Sequence, residues 1–134
     1  MTPHRSENLS LHQESDLVTV RQLVKRHAVE LGLNNFSQTK LVTAASELGR
    51  NTLIHGGGGT MVLESVVLND RHGLRLTFED KGPGIADLAQ AMTDGFTTKG
   101  GLGLGLSGSK RLVNEFEIAS RVGEGTRVTV TQWV

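Results

Sequence analysis

Two glycine-rich segments within residues 80–108 constrain this chain more than any other feature. The first, Asp80–Ile85, follows a predicted strand, and the second, Gly100–Gly108, leads into a predicted helix. Glycine lets the backbone approach a ligand closely, and the start of a helix offers unpaired N–H groups to phosphate oxygens. An acid in one segment and bare amides in the other predict a site that binds both ends of a nucleotide.

The composition is that of one small domain covering residues 1–134. The chain has 14 basic and 14 acidic residues, so no broad electrostatic field attracts it to nucleic acid or to a membrane. It contains no cysteine, which excludes disulfides, thiolate chemistry and a cysteine zinc site. Its start is polar and unlike a signal peptide. We therefore expect a soluble cytoplasmic protein.

Alternating helix and strand patterns predict an α+β fold, a two-layer arrangement in which helices cover one face of a mixed, mostly antiparallel sheet. The predicted helices are Ser15–Leu31, stopped by Gly32, then Gln38–Ile54, capped by Ser37 and ended by Gly56–Gly59, and finally Leu104–Asn114. The predicted strands are Asn8–His12, Thr60–Asn69, Leu74–Glu79, Phe116–Arg121 and Thr126–Trp133. Two hairpin connections are predicted at Asp70–Gly73 and Gly123–Gly125.

The second predicted helix carries a candidate catalytic pair. Glu47 and Asn51 are four residues apart and share the edge of its apolar stripe. A carboxylate beside an amide oxygen suits a hard cation, and the carboxylate alone suits a general base. The alternative is structural: Glu47 pairs with Arg50 or a lysine, and Asn51 is a surface residue near the helix end.

Each glycine segment also has a structural alternative. Asp-x-Gly-x-Gly is common in tight turns, where the acid bonds its own backbone. Gly103, Gly105 and Gly108 match a dinucleotide-binding pattern, but that pattern needs a strand directly before it, and here a polar stretch precedes it. Gly108-Ser109-Lys110 inverts the order that a Walker loop requires.

The ordered set of motifs is more specific than any of its members. It comprises Glu47-x-x-x-Asn51, Asp80-x-Gly82-x-Gly84, Gly101-x-Gly103-x-Gly105 and Gly123-x-Gly125-Thr126. The set resembles the Bergerat ATP-binding fold of the GHKL superfamily, shared by gyrase B, Hsp90, histidine kinases and MutL. Within it the chain resembles the small anti-sigma serine/threonine kinases. The stretches Ala45–Asn51, Asp94–Leu106 and Lys110–Phe116 are most similar to the RsbT-type switch kinases of stressosomes.

The resemblance implies a role for each matching position. Glu47 would accept the proton of the attacking hydroxyl, and Asn51 would hold Mg²⁺. Asp80 would bind the adenine amino group, with Thr126 supporting that contact through water. Segment Ile85–Gly100 would be an ATP lid, with Thr98 and Lys99 as extra phosphate donors. The implied nucleotide-binding positions are Asn51, Asp80, Gly82, Gly84, Ile85, Thr98, Lys99, Gly100, Gly101, Leu102, Gly103, Leu104, Gly105 and Thr126.

The implied function is a Mg-ATP-dependent kinase that phosphorylates STAS-domain antagonist or scaffold proteins of the RsbS and RsbR type. A PP2C-type phosphatase would be activated on its release. Two alternatives are open: a nucleotide-dependent anti-sigma factor that sequesters a sigma factor directly, and an ATP-binding module with vestigial activity. Leu17 stands where the sporulation anti-sigma kinases have a partner-contacting arginine, which favours the switch kinase.

Overall fold

The computed structural model describes residues 6–85, 92 and 105–134. Its elements, in chain order, are β1 (Ser6–Leu11), α1 (Ser15–Leu31), α2 (Asn35–Ile54), β2 (Gly59–Leu68), β3 (Arg71–Asp80), α3 (Gly105–Leu112), β4 (Glu115–Arg121) and β5 (Gly125–Trp133). The five strands form one sheet in the order β1-β2-β3-β5-β4, and every pairing within the described residues is antiparallel.

The helices cover one face of this sheet, because alternate strand residues are apolar. On β3, for example, Leu74, Leu76 and Phe78 are buried under the helices, whereas Glu79 is exposed on the other face. We call these the covered face and the open face. The core between the layers consists of Leu11, Val20, Val24, Ala28, Leu33, Leu41, Ala45, Leu48, Met61, Leu63, Leu74, Leu76, Phe78, Val128 and Val130. The predicted α+β fold is confirmed.

Helix α1 has the predicted bounds. Its apolar residues recur at intervals of three and four, and the helix ends where Gly32 adopts a left-handed φ of 100°. At the other end the Asp16 carboxylate accepts the N–H groups of His12 and Gln13. These bonds stabilise the ionised form and lower the pKa of Asp16 below its ordinary value.

Helix α2 begins three residues before the predicted start. Its cap is Asn34, whose side chain accepts a hydrogen bond from the Ser37 backbone N–H at 2.8 Å. The prediction that Ser37 is the cap was therefore wrong. Both residue types cap helices, and Asn34 is the one with extended backbone geometry.

The hairpin between β2 and β3 is tighter than predicted. Asn69 and Asp70 make the turn, both with positive φ, and pairing resumes at once between Leu68 and Arg71. The predicted connection Asp70–Gly73 was wrong because Gly73 is a strand residue. A Cβ at Gly73 would lie 2.5 Å from the Trp133 ring, so glycine is needed there for packing.

Helix α3 ends at Leu112, two residues before its predicted end. Asn114 bonds to β5 instead of continuing the helix: its N–H donates to Gln132 Oε1, and its Oδ1 accepts the Trp133 N–H. The predicted first residue, Leu104, lies outside the described residues. None of the described helices is long and apolar enough to cross a membrane.

Candidate functional site

Asp80 is the last residue of β3 and lies at the end of the sheet where α2 terminates. In the strand register it is opposite Gly59 on one side and Thr126 on the other. Asp80 follows Phe78 by two residues in the same strand, so the Asp80 side chain points to the covered face, as that of Phe78 does. One carboxylate oxygen accepts the Gly82 N–H at 2.9 Å. The second oxygen has no hydrogen bond within the described residues, so it is available to a ligand.

Gly56, just after α2, allows this placement of Asp80. A Cβ built on Gly56 would lie 2.3 Å from Asp80 Cγ, which is too close for two non-bonded carbon atoms. The backbone after the helix thus packs directly against the carboxylate. The run Gly56–Gly59, predicted only as the end of α2, includes the residue that makes room for Asp80.

Substituting Gly56 with alanine is expected to displace the Asp80 side chain and weaken ATP binding at least tenfold. Overpacking of this kind costs about 1–3 kcal/mol of folding stability. Gly57→Ala is the matched control: Gly57 has φ of 72° with nothing within 4 Å, so alanine adds backbone strain of about 1–2 kcal/mol without touching Asp80. Calorimetric ATP titration and thermal melting of both variants check this. Equal ATP affinity in the two variants would contradict the steric role of Gly56.

The loop after Asp80 is hydrogen-bonded to the hairpin formed by β4 and β5. The Pro83 carbonyl accepts the Gly123 N–H at 2.8 Å, and the Ile85 N–H donates to Ser120 Oγ at 2.8 Å. Between them Gly84 has a φ of 77°, and a Cβ there would lie 2.2 Å from the Arg121 carbonyl oxygen. The loop therefore leaves the sheet along one defined path up to Ile85.

Ser120 was not predicted as a site residue. It pairs with Thr126 in the β4–β5 register, and the two hydroxyl oxygens are 2.9 Å apart. Thr126 in turn is opposite Asp80, so the three side chains form a row on the covered face. No local sequence signal distinguishes Ser120. Only the register of β4 against β5 would have identified it.

A cavity of about 540 Å³ is lined by all three residues of this row and by residues that alternate with them. Its lining includes Glu79, Ala119 and Arg127, which alternate with the row and therefore point to the open face.

Glu47 is buried in α2, with only 3% of its surface exposed. Within the described residues it takes part in no ion pair or hydrogen bond. The structural alternative that paired Glu47 with Arg50 is not found among the described residues, where Arg50 pairs with Glu14 at 3.8 Å. A buried carboxylate one helical turn before the amide of Asn51 keeps Glu47 a candidate for chemistry.

Asn51 is half-buried one turn after Glu47. The described residues contain no group of three acidic or histidine side chains able to hold a metal ion. Mg²⁺ is usually held by one or two protein oxygens together with phosphates and water. The amide oxygen of Asn51 fits such a site.

The structure describes one of the predicted residues of the phosphate-binding segment, Gly105. The others lie outside the described residues: Thr98, Lys99, Gly100, Gly101, Leu102, Gly103 and Leu104. Gly105 is the first residue of α3, and α3 packs against α2, the helix that carries Glu47 and Asn51. The start of α3 is thus on the same helical layer as the candidate catalytic pair.

Comparison with known proteins agrees with this geometry. Residues 36–133 match the family described as histidine kinase-, DNA gyrase B-, and HSP90-like ATPases. The serine/threonine-protein kinase RsbT of Bacillus subtilis is 45% identical over 121 residues, which are 90% of this chain and 91% of that protein. The anti-sigma F factor of Bacillus cytotoxicus is 34% identical over 102 residues, 72% of this chain and 69% of that protein.

A solved structure supports the fold alone. It contains the RsbU and RsbW domains of a Mycobacterium tuberculosis protein and matches 98% of this chain with a TM-score of 0.66 at 24% identity. The match spans 32% of that longer chain. By its family match and its similarity to RsbT, the chain belongs to the histidine kinase-, DNA gyrase B- and HSP90-like ATPases, in their branch of ATP-dependent serine/threonine protein kinases.

Proposed function

We propose that the chain is a switch kinase that transfers phosphate from Mg-ATP to a serine or threonine of a STAS-domain antagonist protein. The observation that carries the proposal is the placement of two acids: Glu47 within α2, and Asp80 against the residue that follows this helix. His55 caps the end of α2 that packs against Asp80. The buried Glu47 lies about 12 Å before His55 along the helix axis. A nucleotide bound along the helix would have its base at Asp80 and its phosphates near Glu47.

In this proposal the residues at and near the C-terminal end of α2 have separate tasks. Asp80 accepts a hydrogen bond from the adenine amino group, and Thr126 supports it through water. Asn51 holds Mg²⁺ through its amide oxygen. ATP and Mg²⁺ supply the phosphoryl group and neutralise its charge, so that the protein contributes mainly positioning.

Glu47 supplies the proton transfer in the proposed reaction. It accepts the proton of the substrate hydroxyl as that oxygen bonds to the γ-phosphorus and the bond to the leaving ADP oxygen breaks. We further propose that Thr98, Lys99 and Gly101–Gly105 contact the phosphates. That assignment rests on their match to the family motif.

The proposed protein partners follow from the 45% identity to RsbT. They are STAS-domain antagonists and scaffolds of the RsbS and RsbR type and, on release, a PP2C-type phosphatase. Since the donor is ATP, we propose the cytoplasm as the place of the reaction.

The second candidate is a regulator that sequesters a sigma factor directly, and similarity to anti-sigma F factors supports it. The structure favours the switch kinase at one position. Leu17, aligned with the partner-contacting arginine of sporulation anti-sigma kinases, is 2% exposed and packs against Gly49 of α2. A buried leucine offers no charged contact to a sigma factor.

The two candidates differ in their products. Purified protein, Mg²⁺, labelled ATP and the STAS-domain protein encoded nearest to it are expected to give acid-stable phosphate on serine or threonine. The unphosphorylated partner should bind more tightly than the phosphorylated one, because the phosphate adds about 1.5–2 negative charges. Nucleotide-dependent binding of a sigma factor without STAS phosphorylation would support the sequestering regulator instead.

A further inference from the structure

The Ser120 hydroxyl is a junction between three parts of the candidate site. It accepts the N–H of Ile85, the last described residue of the loop that follows Asp80. It also lies 3.1 Å from the Gly125 carbonyl oxygen and 2.9 Å from the Thr126 hydroxyl. Ser120 is the side chain that joins this loop to Thr126.

The donor and acceptor capacity of the hydroxyls limits how these contacts are arranged. A serine hydroxyl has one proton and two lone pairs. The Ile85 N–H occupies one lone pair, and a carbonyl such as that of Gly125 can only accept. All three contacts are hydrogen bonds only if Ser120 donates to Gly125 and Thr126 donates to Ser120. If Ser120 donated to Thr126, the contact between Ser120 and the Gly125 carbonyl would not be a hydrogen bond, so the first arrangement, which satisfies all three contacts, is favoured.

We infer that Ser120 is a positioning residue that turns the Thr126 hydroxyl into a hydrogen-bond acceptor toward the base. This inference rests on the proposed function, in which Asp80 and Thr126 bind adenine. With its proton committed to Ser120, Thr126 presents only lone pairs beside the carboxylate of Asp80. A water that donates its two protons to these two acceptors presents a lone pair to the base. Adenine offers that lone pair an amino group, whereas guanine offers a carbonyl oxygen that it repels. Ser120 therefore contributes to the choice of ATP over GTP.

The Ser120 hydroxyl links the selectivity between ATP and GTP to the position of the loop that follows Asp80. The Ile85 N–H occupies the lone pair that is not used by Thr126, so the loop and the Thr126 proton are held by one oxygen atom. Removing that oxygen is expected to release both. Removing only the Thr126 hydroxyl leaves the Ile85 bond in place.

Three variants separate these effects. Ser120→Ala is expected to reduce the ratio of ATP to GTP affinity roughly five- to tenfold, as one hydrogen bond would, and to speed amide exchange at Ile85. Ser120→Thr retains the hydroxyl on a strand-compatible side chain and should restore both values. Thr126→Val should reduce the nucleotide ratio while exchange at Ile85 stays slow. Calorimetry with each nucleotide, amide exchange by NMR and thermal melting measure these outcomes.

A wild-type nucleotide ratio in Ser120→Ala would overturn the inference, even if exchange at Ile85 became faster, because Ser120 would then serve the loop alone. Fast exchange at Ile85 in Thr126→Val would also overturn it, since the two contacts would not be separable. Failure of the proposed function is recognised differently: wild-type protein would then bind neither nucleotide, and the inference would fall with it.

Discussion

Replacing Glu47 with glutamine is expected to reduce phosphoryl transfer about 10²-fold or more while ATP affinity changes by no more than a few-fold. The amide has nearly the same shape as the carboxylate but cannot take the proton of the attacking hydroxyl. Glu47 is buried and forms no ion pair within the described residues, so the substitution breaks none there. Single-turnover transfer to the STAS-domain partner and calorimetric ATP titration measure the two quantities.

Glu14→Gln is the matched control for this experiment. Glu14 is exposed and forms the ion pair with Arg50, which is on the same helix as Glu47. The control makes the same chemical change close to the site without altering the proposed base, so transfer should continue at the wild-type rate. Normal transfer in Glu47→Gln would show that the base lies elsewhere and that the burial of Glu47 is structural.

Elements defined by local patterns were predictable from sequence. Helix α1 has its predicted bounds because its apolar periodicity and the glycine that ends it are both local features. Where two residues offered the same local signal, the choice depended on backbone geometry, as for Asn34 over Ser37 as the cap of α2. The boundaries of the helices and strands therefore differ from the predicted ones by a few residues, whereas each element has the predicted type.

Predictions failed where a residue's role depends on distant contacts. Gly73 has the composition of a turn residue, but the Trp133 ring packs over it, and Trp133 follows it by 60 positions in the chain. The cap-like Asn114 ends α3 early because it bonds to β5. Neither contact leaves a signal within a short sequence window.

The residues of the candidate site show the same difference between local sequence signals and distant contacts. Asp80, Asn51 and Glu47 were predicted because their motifs occur in a characteristic order. Gly56 and Ser120 were not, because their importance comes from what the fold brings against them: the Asp80 carboxylate in one case and a strand partner in the other. Motif order thus indicates the chemistry of a site, and the residues that orient that chemistry require the fold.

Asp80→Asn is expected to weaken ATP binding by roughly 10- to 100-fold, the range for losing a hydrogen bond to a charged acceptor. The physical reason is specific to the geometry. One Asp80 oxygen is already bonded to the Gly82 N–H. An asparagine that keeps this bond must direct its NH₂ group at the ligand. A donor would then face the amino group of adenine, so the substitution replaces an attraction with a repulsion.

The neighbouring Glu79 provides the control for this last experiment. Glu79→Gln removes the same charge one residue earlier, but Glu79 is exposed on the open face, where strand alternation directs it away from Asp80. Its ATP affinity should equal that of the wild type. If calorimetry instead gave equal losses for both variants, the effect would be one of net charge at the end of β3. Wild-type affinity in Asp80→Asn would mean that another group recognises the base, because the proposed contact cannot survive with its acceptor reversed.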